Sequence, residues 1–173
     1  MRDGMAMRRS SFLLALLLPL AGCTTPSPPP KPAAPPPMPP PTPAPTVPED
    51  WRDRPETPGG WAYDRAADAT SARFGLAGAP VFLVRCELAS HRVFLTRYGA
   101  AAATMRIETS YSAATWPAQA TPEGATVTLE ARDPFLDKMA FSRGRFTVSI
   151  DGQPELVLPA WAEPARVLED CRT

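Results

Sequence analysis

Asparagine is absent from this chain, histidine occurs once, lysine only at Lys31 and Lys138, and cysteine three times. One histidine and so few thiols cannot supply an ordinary zinc site, which draws its ligands from clustered His and Cys. No Gly-rich phosphate loop and no Gly-x-Ser-x-Gly elbow occurs, so no cofactor is expected. Charge of one sign is lacking as well. Lys and Arg number 18 and so do Asp and Glu, and from Glu49 onward 14 basic side chains face 17 acidic ones. Nucleic acid, which asks for a basic patch on a high-pI domain, is therefore not an expected partner. The longest apolar run, Phe12 to Leu20, is far short of the roughly twenty residues that a helix needs to span a bilayer.

What is present starts at the amino terminus. Arg8 and Arg9 form a positive n-region, Phe12 to Leu20 an apolar h-region, and Leu20, Ala21 and Gly22 shrink toward Cys23, the order of an export signal. Met7, directly before Arg8, is an alternative start. A twin-arginine route fits less well, because Phe12 falls one place late. Leu20-Ala21-Gly22-Cys23 resembles the lipobox of bacterial lipoproteins. The resemblance implies cleavage before Cys23, a diacylglyceryl thioether on its sulfur and an acylated amino terminus. Two or three acyl chains make an anchor effectively permanent, where one is marginal. Thr24 stands where an Asp would retain an enterobacterial lipoprotein at the inner membrane, so the expected address is the outer membrane, facing the periplasm. The expected division is a signal over 1–22, a lipidated tether over 23–48 and a domain over 49–173.

Residues 24–48 are rich in Pro with Ala, Thr and Ser, and Lys31 is their only charge. Proline fixes φ and lacks an N–H, which excludes helix interiors and sheet ladders. A polyproline II spacer is the expectation, with a PxxP ligand as the rival. Beyond Cys23 the remaining thiols, Cys86 and Cys171, form a pair expected to be bridged in an oxidising compartment. Closing a loop of about 85 residues contributes roughly 4–5 kcal/mol in the chain-entropy model.

From Glu49 the pattern is that of strands. Trp61 to Tyr63, Ser71 to Phe74, Val81 to Cys86, Arg92 to Arg97, Thr104 to Tyr111, Thr126 to Glu130 and Arg145 to Ile150 are apolar runs or alternate with period two. Val81 to Cys86 is the strongest and is placed centrally. In the alternation over 104–111, Met105, Ile107, Thr109 and Tyr111 share one side. Ala113 to Glu123 reads as a loop around Trp116. Asp133 caps a short helix near 134–140, with Pro134 at its first position and Phe135, Leu136 and Met139 buried. Asp151-Gly152 signals a type I′ hairpin that pairs Glu155 to Leu158 back on Arg145 to Ile150. A helix near 163–170 closes the chain, with Val167, Leu168 and Cys171 on one face. The fold class is mainly β with minor α: a small twisted antiparallel sheet, as a sandwich or half-barrel, braced by Cys86–Cys171.

Candidate chemistry is thin. His91 lies in a turn beside Glu87 and Ser90, where a local cluster does not build a triad. Asp133 and Asp137 read as cap and solvated face, and Glu169-Asp170 as a solvated helix end. A glycosidase-type carboxylate pair has no sequence signature, because its members meet only in space. Two features point to anion binding. Arg73, Arg85, Arg92, Arg97 and Arg106 fall on strands as a candidate basic stripe, and Ser142, Arg143 and Arg145 flank Gly144 in a candidate anion-holding turn.

Phe141 to Cys171, with Ala140-Phe141-Ser142-Arg143-Gly144-Arg145-Phe146, Pro159-Ala160-Trp161 and Glu169-Asp170-Cys171-Arg172, resembles the tail of uncharacterised alphaproteobacterial lipoproteins. Ser142 to Phe146 also resembles, faintly, the Ser-Gly-containing loop that lipoprotein inhibitors of C-type lysozyme insert into the lysozyme active site. The expected function is a non-catalytic module that binds or scaffolds another envelope protein or an anionic envelope polymer. Lysozyme inhibition and cell-wall glycan hydrolysis are the alternatives.

Overall fold

The computed structural model describes residues 50–101 and 104–173. The signal, Cys23, the tether and Glu49 lie outside them. Ten strands and two helices follow in chain order. They are β1 (Gly60–Arg65), β2 (Ala69–Leu76), β3 (Ala79–Glu87), β4 (Arg92–Tyr98), β5 (Thr104–Glu108), β6 (Ala113–Pro117), β7 (Gln119–Ala120) and β8 (Gly124–Glu130), then α1 (Pro134–Ala140), β9 (Arg145–Ile150), β10 (Leu156–Pro159) and α2 (Ala162–Arg172). They build two antiparallel sheets, six strands in the order β1-β2-β3-β4-β8-β7 and four in the order β10-β9-β5-β6. The fold is mainly β, as the strand patterns imply, and neither sheet closes into a barrel.

The first sheet buries one face. Cross-strand register aligns Trp61, Phe74, Phe82 and Arg97 in one row. A deeper row aligns Thr70, Cys86, Val93 and Leu129. At the two ends of the first row, the Trp61 indole donates to the Pro159 carbonyl at 2.8 Å and Arg97 reaches the Pro154 carbonyl at 3.5 Å. Pro154 and Pro159 bracket β10, so β10 runs along the row and the second sheet lies crosswise on the first, an orthogonal packing. Edge-on rings lock the crossing: Trp61 on Phe74 at 5.3 Å and Phe82 on Phe146 at 6.4 Å. Each such side chain contributes about 1.5–3 kcal/mol by leaving water.

The deeper row is covered by α2, whose Val167, Leu168 and Cys171 are buried. Cys171 is bonded to Cys86, with Cα atoms 5.6 Å apart and both residues fully buried. The expected bridge thus joins the last turn of the chain to the centre of the sheet. Helix α1 starts where Asp133 accepts from the Phe135 N–H at 2.8 Å. Its Phe135 packs edge-on against Trp116 of β6 at 4.8 Å, and its Asp137 pairs with Arg172 of α2 at 2.7 Å.

Three local expectations are corrected. Strand β5 stops at Glu108, because the Thr109 hydroxyl accepts from the N–H groups of Tyr111 and Ser112 and turns the chain. Such local side-chain bonds compete with a ladder. Tyr111 consequently leaves the buried side and is 54% exposed. The supposed loop over 113–123 holds β6 and β7, and Pro117 is tolerated because β6 is an edge strand. The Asp151-Gly152 turn is one residue wider than a two-residue type I′ hairpin. Pairing Leu156 with Val148 sets Pro154 opposite Ile150, and a proline has no N–H for that rung.

Candidate functional site

The outward face of the six-stranded sheet carries no helix, since α2 lies on the opposite face with Cys86. Period-two alternation turns Asp64, Ser71, Arg73, Leu83 and Arg85 toward it. These residues, with Tyr98 and Glu123, line a shallow depression of about 250 Å³. Ser71 and Leu83, each only 5% exposed, form its floor, while Asp64, Arg73 and Glu123 are exposed at its margin. The floor thus pairs one polar and one apolar side chain, and both signs of charge stand around it.

The five strand arginines do not form the basic stripe. Arg73 and Arg85 share the depression, and Arg85 lies over the Phe94 ring at 5.8 Å. Arg92 pairs with Glu130 at 3.1 Å, which cancels its charge locally. Arg106 belongs to the other sheet and pairs with Glu108 at 2.9 Å. Arg97 points inward, because it keeps the parity of Val93 and Leu95 on β4. There it donates to the carbonyls of Val81 at 3.2 Å and Tyr98 at 3.0 Å, and burial lowers its pKa. Sequence spacing alone cannot separate these fates, which depend on strand parity and on which sheet each strand joins.

The Ser142–Arg145 turn is assembled around Gly144, which has φ +81°. The Ser142 hydroxyl is buried, accepts from the Ser110 N–H at 2.9 Å and donates to the Arg145 carbonyl at 2.6 Å. The Arg143 N–H donates to the Ser110 hydroxyl at 2.8 Å. Arg145 donates to the Arg54 carbonyl at 2.7 Å and faces Glu56 at 3.5 Å. Ser142 and Arg145 therefore brace the fold through these contacts. The guanidinium of Arg143 alone is presented to solvent, over the Tyr111 ring at 5.7 Å.

His91 is exposed in its turn with φ +52°. It is nonetheless engaged, its Nδ1 lying 2.7 Å from the Cys171 carbonyl at the end of α2. Ser90 donates to Glu87 and leaves the imidazole out, so these neighbours make no triad. Asp133 caps α1 and Asp137 holds Arg172. Asp170 is more than a solvated helix end: it accepts from the Tyr63 hydroxyl and from Arg65 at 2.9 Å. The pKa of Arg65 is raised, first by a side-chain hydrogen bond with Tyr63 and then by the Asp170 charge. Among the described residues no three His, Cys, Asp or Glu side chains gather to hold a metal.

Sequence reasoning missed the exposed apolar side chains. Leu76, Tyr111, Phe141 and Trp161 are 62, 54, 59 and 49% exposed, the large hydrophobic residues that the described fold leaves in water. Phe141 and Trp161 stand immediately outside the two helices, where helical periodicity ceases to say which way a side chain faces. Compared with family models, curated proteins and solved structures, the chain matches none.

Proposed function

We propose that this chain is a lipoprotein anchored through Cys23 in the outer membrane and facing the periplasm, whose β domain binds another envelope protein without catalysis. The observation that carries the address is the fully buried Cys86–Cys171 disulfide. Such bonds persist after export and are rare in reducing compartments, which agrees with the signal ending at Leu20-Ala21-Gly22-Cys23. No helix among the described residues is long and apolar enough to cross a membrane. The depression on the outward sheet face supports the binding half. Asp64 and Glu123 beside Arg73 and Arg85 favour a protein surface with charges of both signs over a uniform polyanion.

Replacing Cys23 by Ser tests the anchor. The wild type is expected in the detergent phase and in the membrane pellet, and the C23S form in the aqueous phase and the soluble fraction. Equal partitioning of the two sinks the anchor. A photo-crosslinking residue at Arg73 or Arg85 tests the face. One discrete crosslinked species in cells is expected, and its absence at native abundance counts against a partner there. A second reading, glycan hydrolysis, draws on Asp64, Asp68 and Glu123 lining the same depression. It requires release of soluble fragments from purified cell wall, abolished by D64N or E123Q.

A further inference from the structure

Leu76, Tyr111, Phe141 and Trp161 come from four separate parts of the chain, and hydrogen bonds, strand pairing and short steps along the sequence link the segments that carry them. Arg143, stacked on Tyr111, is hydrogen-bonded through its N–H to Ser110, and Phe141 is two residues before it. From the next residue, the Gly144 carbonyl accepts from the Ala160 N–H at 3.0 Å, which sets Trp161 beside this turn. The Trp161 ring lies against Gly60, within 3.8 Å of where a Cβ would stand. Gly60 pairs with Gly75, and Leu76 follows. The glycines leave the ring and the β2 end without side chains between them. A second hollow, of about 460 Å³ and lined by Gly60, Phe74, Gly75, Leu76 and Pro80, opens at this end.

The described chain enters at the same margin. Trp51 donates to Glu108, at the end of β5 next to the Thr109–Ser112 turn that carries Tyr111. Arg54 and Thr57 are then bonded to Arg145 and Val157 on the way to Gly60. The first described residues therefore run beside the turns that carry the exposed aromatic side chains.

We propose that this margin docks the domain on the phospholipid surface that carries its anchor, with Trp161, Tyr111, Phe141 and Leu76 at headgroup depth and Arg143 on lipid phosphate. The inference rests on the Cys23 anchor. Trp and Tyr favour the membrane interface, where an apolar ring and a polar edge are both satisfied, and a guanidinium pairs with phosphate through two donors. A contact too weak to hold a free protein suffices here, because the anchor makes it intramolecular and raises its effective concentration.

The test uses the full lipidated chain and its W161F variant reconstituted in phosphatidylcholine–phosphatidylglycerol vesicles carrying nitroxide lipid labels. The Trp161 contribution is the difference between the two emission spectra. It is expected to fall by about half or more with headgroup-level nitroxide and far less with nitroxide at the bilayer centre. The exposed-site variants Y111S/F141S and R143E, shown folded by circular dichroism, are expected to weaken that quenching. Vesicle-bound protein whose Trp161 emission ignores the nitroxides overturns the docking and leaves the anchor standing. Trp161 shielded from aqueous acrylamide but not quenched by lipid also overturns it, in favour of a second copy as the occupant. Protein absent from the floated vesicles overturns the anchor and the docking together.

Discussion

Gly124 and Arg97 show how much single residues can hold, one inside the first sheet and the other where the two sheets cross. A Cβ on Gly124 would collide with the Arg97 carbonyl oxygen, and its φ of +157° is one that L side chains rarely adopt. Gly124→Ala is expected to cost about 3 kcal/mol or more, by overpacking against backbone together with a strained φ. Urea unfolding measures it as a lower midpoint. Arg97 satisfies carbonyls of Val81, Tyr98 and Pro154, from the first sheet and from the turn before β10. Removing it as Arg97→Ala leaves those oxygens without donors and is expected to lower stability by about 2–3 kcal/mol. Arg97→Lys should fall between, because a single ammonium lacks the planar fork. An Arg97→Ala protein as stable as wild type would show that water replaces the guanidinium without loss. For Asp133→Ala the expectation is about 1 kcal/mol, the usual cost of a lost N-cap, read from the same unfolding curves.

Elements are held where local signals end. Helix α2 has no side-chain cap at Trp161, and its placement comes from the buried Val167–Leu168–Cys171 face and the disulfide. Replacing both cysteines as C86A/C171A is expected to cost about 4 kcal/mol in the chain-entropy model and to lower the thermal midpoint. Because both sulfurs are buried, thiol titration under reductant should detect little reduction in the native protein and ready reduction once urea is added. Prompt reduction without urea would mean that α2 opens locally. The β10 margin is guarded differently: Thr57 bonds both polar groups of Val157, through its N–H at 2.9 Å and its hydroxyl at 2.9 Å. Exposed strand edges invite pairing with other chains, so Thr57→Pro is expected to raise aggregation under mild destabilisation, followed by light scattering.

At the scale of the whole molecule, two surfaces divide the work. The outward sheet face is concave and mixed in charge, while the margin with Trp161 and Tyr111 is apolar and lies where the chain enters. Neither surface is visible as a motif. Ser71 and Leu83 share the depression only because β2 and β3 pair Arg73 with Leu83 and Ser71 with Arg85. The aromatic margin exists only because Gly144 and Ala160 are hydrogen-bonded across β9 and β10. The two surfaces also fail independently. Charge reversal at Arg85, which lines the depression and not the hollow at the margin, should remove a partner without altering vesicle quenching of Trp161, and R143E should do the reverse.

The sequence by itself determined what depends on neighbours along the chain. Apolar runs, period-two alternation and the Asp151-Gly152 turn marked all but the two strands within 113–123, Asp133-Pro134 marked the start of α1, and Val167, Leu168 and Cys171 marked the buried face of α2. Steric limits on φ and ψ and the burial of alternating apolar residues act over a few residues, so they can be read locally. The tertiary structure decided which arginines meet water, why Ser142 and Arg145 are structural, and where four apolar side chains gather. Those outcomes follow from strand order, a register that local sequence does not specify, and hydrogen bonds such as Trp61 to Pro159 that join residues 98 apart. Contacts at that separation exist only once the sheets have crossed, and the crossing is a property of the packed whole.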